Sequence, residues 1–329
     1  SRRYKLAKEI TTPDGFINTP STSSGQVTSI TISQFVGKKV ILVDFWTYSC
    51  INCQRTTPYL NAWYEKYKDK GFVIIGIHTP EFEFEKDYNN VKAAVGKFGI
   101  KFPVVLDNDY STWTAYKNQY WPRKYLIDID GYIIYDHIGE GSYEKTEKKI
   151  QEALTERMTV LGEIGTIGQA VTKEVLLQNS PESKETYFGA NRNEFLGNGK
   201  IGISGQQNNL TIPDKISPNT LYLSGDWNIK EELAQNISDN AGIVYNYTAK
   251  DVFFVAEADN ETVVEVLLDG NPANSKAGED IIKTSDGKTI LKIKEARLYK
   301  IIQSSQSETH TLKLIIQNQG LEVFTFTFG

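Results

Sequence analysis

The sequence predicts an α/β domain, a central mixed sheet flanked by helices, followed by an all-β sandwich of jelly-roll-like type. Three observations carry this. Before about residue 160, β-branched runs alternate with segments of helical spacing, the order that lays helices on a sheet. Further on, short period-two segments recur between turn residues, the pattern of a sandwich. The 329-residue length also exceeds what one core usually organises. The expected division is 1–160 for the first domain, 161–178 for a connector with Gly162, Gly165 and Gly168, and 179–329 for the second.

In the first domain, "KKVILVDFW" (38–46) and "FVIIGIHT" (72–79) have the continuous apolar character of strands buried on both faces. Between them, Leu60, Trp63, Tyr64 and Tyr67 recur at helical spacing, and Gly71 stops the helix. Pro58 is expected only to kink it. "YNNVKAAVGKFGI" is a helix, "FPVVLDND" a short strand and "STWTAYKNQY" a short helix. "KYLIDIDGYIIYDHIG" is a hairpin turning at Asp130-Gly131. "SYEKTEKKIQEALTERM" is a closing helix with Ser142 as candidate N-cap. The second domain offers ten short strands, "KIGIS" (200–204) first, and one helical piece, "NIKEELAQNI" (228–237).

Composition sets the functional limits. Hydrophobic content of 40% and charged content of 23% describe a soluble globular chain. A net charge of −5 with scattered basic residues gives no support to a nucleic-acid partner. No apolar run is long enough to span a bilayer, and the opening "SRRYKLAKEI" has no signal-peptide core. A processed or partial form is the expectation, with any targeting or anchoring segment outside it.

The chain has two cysteines, Cys50 and Cys53, in the CINC motif. Such a pair closes too small a loop to staple the fold, so its use is chemistry or metal. Cys50 lies past a buried strand, where a helix begins. The free N–H groups and partial positive charge of a helix start stabilise a thiolate. Cys53, one turn on, can attack a mixed disulfide formed on Cys50. A zinc site would need two more ligands, and His78, His137 and His310 show no paired spacing. No metal and no cofactor are therefore expected beyond the redox-active pair. Thr47, three residues before Cys50, also makes a T-x-x-C arrangement of the kind peroxiredoxins use. Their proline four residues before the threonine is replaced by Val43.

"VDFWTYSCINCQRTTP" resembles the thioredoxin active-site segment, and "YWPRKYLIDIDGYIIYDHIG" resembles the segment around its cis-proline. The interval from Cys50 to Pro122 fits the TlpA-like branch. "HTPEFEFEKDYNNV" and "CINCQR" resemble its DipZ-type subgroup more closely. "ETYFGANR", "GDW", "LDG" and "TFTFG" resemble the carbohydrate-binding-module-like sandwich that follows the redox domain there. The resemblance implies a protein thiol–disulfide oxidoreductase, extracytoplasmic, on the periplasmic or outer membrane face, and fed by a CcdA-like membrane electron donor. Cytochrome c biogenesis is the associated process.

It also implies residue roles. Cys50 attacks and Cys53 resolves; buried Asp44 carries the Cys53 proton; Pro122, in cis, presents backbone to the substrate; Trp46 and Trp121 flank the thiols as a contact surface. Two positions depart from the pattern. Thr56 stands where TlpA-like reductases often have Glu, and Ile51-Asn52 replaces Gly-Pro. In the second domain, Tyr222, Trp227, Tyr245, Tyr247 and Tyr299 are either core or a sugar-stacking platform for a carbohydrate or cell-surface ligand. "DGNPANSKAGED" offers carboxylates to Ca²⁺ without ordered spacing. Alternatives to the redox enzyme are a surface-binding protein on a thioredoxin scaffold and a thiol peroxidase.

Overall fold

The computed structural model describes residues 4–21, 23–25, 27–173 and 181–329. The chain divides into two compact units, Ser1–Leu177 and Gln178–Gly329.

The first unit has strands β1 (Lys5–Leu6), β2 (Gly15–Ile17) and β3 (Val40–Trp46), then helix α1 (Ile51–Tyr67). Next come β4 (Phe72–His78), α2 (Tyr88–Lys97), β5 (Val104–Leu106) and α3 (Ser111–Ala115). The hairpin β6 (Arg123–Ile127) and β7 (Tyr132–Ile138) and helix α4 (Tyr143–Leu161) complete it. The sheet order is β1-β7-β6-β3-β4-β5-β2. β3, β4 and β5 are parallel, and β6 runs antiparallel to β3.

The pleat of β3 sorts its side chains. Val40, Leu42 and Trp46 join the core that also holds Cys53, Leu60 and Trp63 of α1, whereas Ile41, Val43 and Phe45 join the opposite core. Period two therefore puts Asp44 on the α1 face, under the thiols. Gly76 of β4 lies opposite Asp44 in register. A Cβ there would come 3.0 Å from Trp46 Nε1 and 3.1 Å from Phe102, so the absence of a side chain is what leaves room for Trp46 in the core.

Ser142 precedes α4 as expected but does not cap it through its side chain. It sits at φ 49°, and its carbonyl accepts the Thr146 N–H at 2.9 Å. The backbone leaves the β7 loop through a left-handed residue, not the extended conformation from which a serine hydroxyl reaches the N2 or N3 amide. The described part of the expected connector lies on the first unit. Glu147 accepts the Val171 and Thr172 amides, each at 2.7 Å, and Trp63 Nε1 donates to Thr172 Oγ1 at 2.8 Å. The remainder, 174–178, lies outside the described residues.

Among its described residues the second unit is built of strands, with one short 3₁₀ turn at Asn274–Lys276. They are β8 (Thr186–Tyr187), β9 (Gly205–Leu210), β10 (Leu221–Ile229), β11 (Ala234–Asn236), β12 (Ala241–Glu257), β13 (Thr262–Leu268), β14 (Asn271–Pro272), β15 (Ile282–Lys283), β16 (Thr289–Ile293), β17 (Arg297–Ile316) and β18 (Glu322–Phe328). The main order is β15-β16-β13-β17-β12-β10-β11-β18-β8. One half of β12 pairs with β10 and the other with β18, while β17 follows it along both halves.

Two expectations fail here. Residues 228–237 form no helix. Ile229 pairs with Ala234 in the β10–β11 hairpin, closed by a Lys230 N–H to Leu233 carbonyl bond of 2.8 Å. Trp227, Ile229 and Ala234 fill the core at strand period, and the Lys-Glu-Glu run is the turn. Residues 200–204 form a turn with Gly202 at φ 72° and Ile201 and Ile203 each 53% exposed.

Candidate active site

Cys50 is the N-cap of α1, at φ −85° and ψ 120°, and its sulfur accepts the Cys53 N–H at 3.3 Å. A sulfur in this position takes up one of the free amides of the helix start and faces its positive end. Cys50 is partly exposed and Cys53 is buried; both are free thiols in this structure. Burial pushes the Cys53 thiol well up. Its hydrogen bond to Cys50 and the charges of Cys50 and Asp44 add to this, whereas a bond from the Thr47 backbone opposes it.

Asp44 is 2% exposed, and Lys124, from β6, is 0% exposed. Their charged atoms are 3.6 Å apart, an ion pair longer than a hydrogen bond. Burial pushes the Asp44 carboxyl up to about 6 against the pull of Lys124. The pair thus keeps a carboxyl that titrates in the weakly acidic range directly below a buried thiol.

Pro122 follows Trp121 through a cis peptide and leads into β6, next to β3. Trp121 is half-buried. Its indole N–H donates to the Thr79 carbonyl at 2.9 Å and its ring lies 4.3 Å from that of Trp113. Trp46 does not share that surface. It is 3% exposed and edge-on to His78 at 4.9 Å, because β3 points it into the helix-side core. Of the two tryptophans expected to flank the thiols, only Trp121 has a face to offer a partner.

Thr56, at the position that departs from the TlpA-like pattern, is buried; its hydroxyl donates to the Asn52 carbonyl and lies 3.2 Å from Tyr143 Oη. A carboxylate reaches this region from another element: Glu140 lies 3.6 Å from Arg55 of α1.

Sequence reading missed three groups around the thiols: Lys124, His78 and Glu85. Lys124 had a readable signal, an inward strand position within "RKYLI". In the sequence His78 reads only as a candidate metal ligand. It is fully buried, accepts the Tyr48 N–H at 3.2 Å, and burial lowers its pKa to about 3. Glu85 sits in "EFEFEK", a run that looks like a solvated surface, yet it is fully buried. Its carboxyl accepts the hydroxyls of Thr47 and Ser49. The Thr47 hydroxyl of the T-x-x-C arrangement is therefore bound to Glu85.

Two family models and several known proteins are similar to this chain. Residues 13–154 match the Redoxin family, and residues 183–329 match the thioredoxin-like C-terminal domain family. DipZ of Mycobacterium tuberculosis is 34% identical over 315 residues, 96% of this chain. The chain is a DipZ homologue. It spans 41% of the length of that DipZ. Thiol-disulfide oxidoreductase YkuV of Bacillus subtilis is 28% identical over 39% of this chain and 85% of its own. Thiol-disulfide oxidoreductase ResA of Bacillus thuringiensis is 36% identical over 36% of this chain and 65% of its own. Both of these shorter relatives are named thiol-disulfide oxidoreductases. The DipZ match, at 96% of the chain, runs through both units.

The second unit gives its candidate ligand residues other tasks. Tyr222, Trp227, Tyr245, Tyr247 and Tyr299 are all buried, so they are core and not a sugar-stacking platform. In the 269–280 loop, Asp269 binds His310 at 2.6 Å, Asp280 binds Arg297 at 2.9 Å and Glu279 binds Lys300 at 2.8 Å. Among the described residues no group of three or more His, Cys, Asp or Glu is placed to hold a metal. No helix among them is long and apolar enough to cross a membrane.

Proposed function

We propose that this chain exchanges thiols and disulfides on protein cysteines through Cys50 and Cys53. The thiolate of Cys50 attacks a substrate disulfide, forming a mixed disulfide and releasing one substrate thiolate. Cys53 loses its proton to Asp44 and attacks the Cys50 sulfur. The Cys50–Cys53 disulfide forms, the second substrate thiolate leaves, and two electrons pass to the substrate. The observation that carries this reading is the Cys50 sulfur at the start of α1, bonded to the Cys53 amide above a buried carboxyl. Pro122 and Trp121 supply the docking edge for an extended substrate segment.

The wider setting is part of the same proposal. A CcdA-like membrane domain resupplies electrons, the reaction takes place outside the cytoplasm, and cytochrome c biogenesis is the process served. The second unit carries a carbohydrate or cell-surface ligand on a surface other than its buried aromatics. What supports this setting is the DipZ kinship along 96% of the chain.

Insulin reduction coupled to a thiol donor tests the core of the proposal. Turnover in the parent and loss of at least 10²-fold in Cys50→Ser is the expected result. Equal rates in the two proteins refute it.

A further inference from the structure

The Thr47–Ser49 segment links β3 to α1, and both sulfurs depend on it. The Thr47 carbonyl accepts the Cys50 N–H at 3.4 Å, and the Thr47 backbone bonds the Cys53 sulfur. Thr47, Tyr48 and Ser49 are all buried, so their polar groups need protein partners. One residue supplies two of them. Glu85, from the 3₁₀ turn Glu83–Lys86, accepts the Thr47 hydroxyl on one carboxyl oxygen and the Ser49 hydroxyl on the other. It also accepts the Glu81 N–H at 2.9 Å, which ties it to its own segment. His78 of β4 takes the Tyr48 N–H between them.

We propose that Glu85 is a positioning residue for the dithiol, a buried carboxyl that clamps Thr47 and Ser49 and thereby sets where Cys50 and Cys53 stand. The idea rests on the exchange function above and names a part of it that lies outside the CxxC motif. Glu85 touches neither sulfur; it acts through Thr47 and Ser49. Both carboxyl oxygens are used, so the segment is fixed on each side of Tyr48. A neutral carboxyl or an amide can still bridge both hydroxyls: its carbonyl oxygen accepts the Thr47 hydroxyl and the Glu81 N–H, and its O–H or N–H donates to the Ser49 hydroxyl oxygen. Burial pushes the Glu85 carboxyl up to about 8, with Glu81 adding to the shift, so the clamp is neutral at pH 7. The titratable group that acts on it directly is Glu81 on its own segment, and His78 of β4 lies 3.5 Å from the Thr47 hydroxyl that Glu85 binds. Glu83 and Lys86 pair with each other in solvent.

The test is the rate of iodoacetamide alkylation of Cys50 at pH 7 in the reduced full chain carrying Cys53→Ser. In that background Glu85→Ala should slow the reaction about tenfold, and Glu85→Gln should restore it to within about threefold. Thr47→Val and Ser49→Ala keep Glu85 and remove one hydroxyl each, so they carry the test if Glu85→Ala does not fold. Either of them should slow alkylation at least threefold. A reactive parent with all four variants within twofold of it overturns the Glu85 assignment and leaves the exchange function standing. Slowing by Gln as severe as by Ala overturns it too. An unreactive Cys50 in the parent overturns both.

Discussion

Asp44 is placed to take a proton from a thiol that burial makes a poor acid. With its carboxyl at about 6, the residue is mostly ionised at pH 7 and can act as a base. Below pH 6 it is protonated and that role stops. In Asp44→Asn the second step, release of a mixed disulfide by Cys53, should fall roughly 10²-fold at pH 7. The loss should shrink as pH drops below 6. Rapid-quench measurement of the mixed disulfide checks this, and a pH-independent loss would mean that Asp44 only supports the fold. Lys124 deserves the same measurement. Lys124→Met leaves Asp44 buried without its opposing charge, so the carboxyl should titrate higher and the onset of resolution should move to higher pH. The motif made Asp44 legible in the sequence, because the strand alternation and the distance to Cys50 are local facts. Lys124 and Glu85 come from distant segments, and only the fold brings them to the thiols.

At the level of elements, what the sequence reveals depends on range. β3, β4, α1 and the β6–β7 hairpin were readable because burial on both faces, helical spacing and an Asp-Gly turn are local signals. The long strands were not. Residues 242–249 and 251–258 look like two strands because Lys250 and Asp251 break the apolar run. The structure carries β12 through the break with register shifts between Ala249 and Asp251 and between Val252 and Phe253. The Lys250 and Asp251 amides both donate to the Gly329 carbonyl, at 2.8 and 3.0 Å. A bulge thus bends one strand where the sequence suggests a turn. Two glycines test how elements pack in the first unit. Gly76→Ala pushes a Cβ against Trp46 and Phe102 and should cost about 1–3 kcal/mol. Gly96, exposed in α2 and with nothing within 4 Å of an added Cβ, should give the opposite sign. Gly96→Ala should stabilise by about 0.5–1 kcal/mol through helix propensity. Urea midpoints followed by tryptophan emission separate the two, and a neutral Gly76→Ala would show that Trp46 has room to move.

Across the whole molecule, three buried groups near the thiols set a pH dependence of stability with opposing signs. Asp44 rises from 3.8 to about 6 and Glu85 from 4.5 to about 8 on folding, so the folded chain holds their protons more tightly than the unfolded chain. Their contribution is complete below the unfolded values and is lost as pH rises through the folded ones. His78 falls from 6.5 to about 3, so its contribution is complete above 6.5 and is lost as pH falls toward 3. Between pH 4.5 and 6 two losses oppose one gain, and between 6.5 and 8 the Glu85 loss stands alone. Replacing Glu85 by Gln removes that loss without changing volume. The stability of Glu85→Gln relative to the parent should therefore rise by about 1.4 kcal/mol per pH unit between 5 and 8, roughly 4 kcal/mol in all. Trp46, Trp63, Trp113 and Trp121 lie in the first unit and Trp227 in the second, so tryptophan emission during urea unfolding reports mainly on the unit that carries these groups. A difference that stays flat from pH 5 to 8 would place Glu85 in the ionised state throughout. The clamp on Thr47 and Ser49 would then be a buried anion beside the attacking thiolate, and the Gln variant should alkylate faster than the parent.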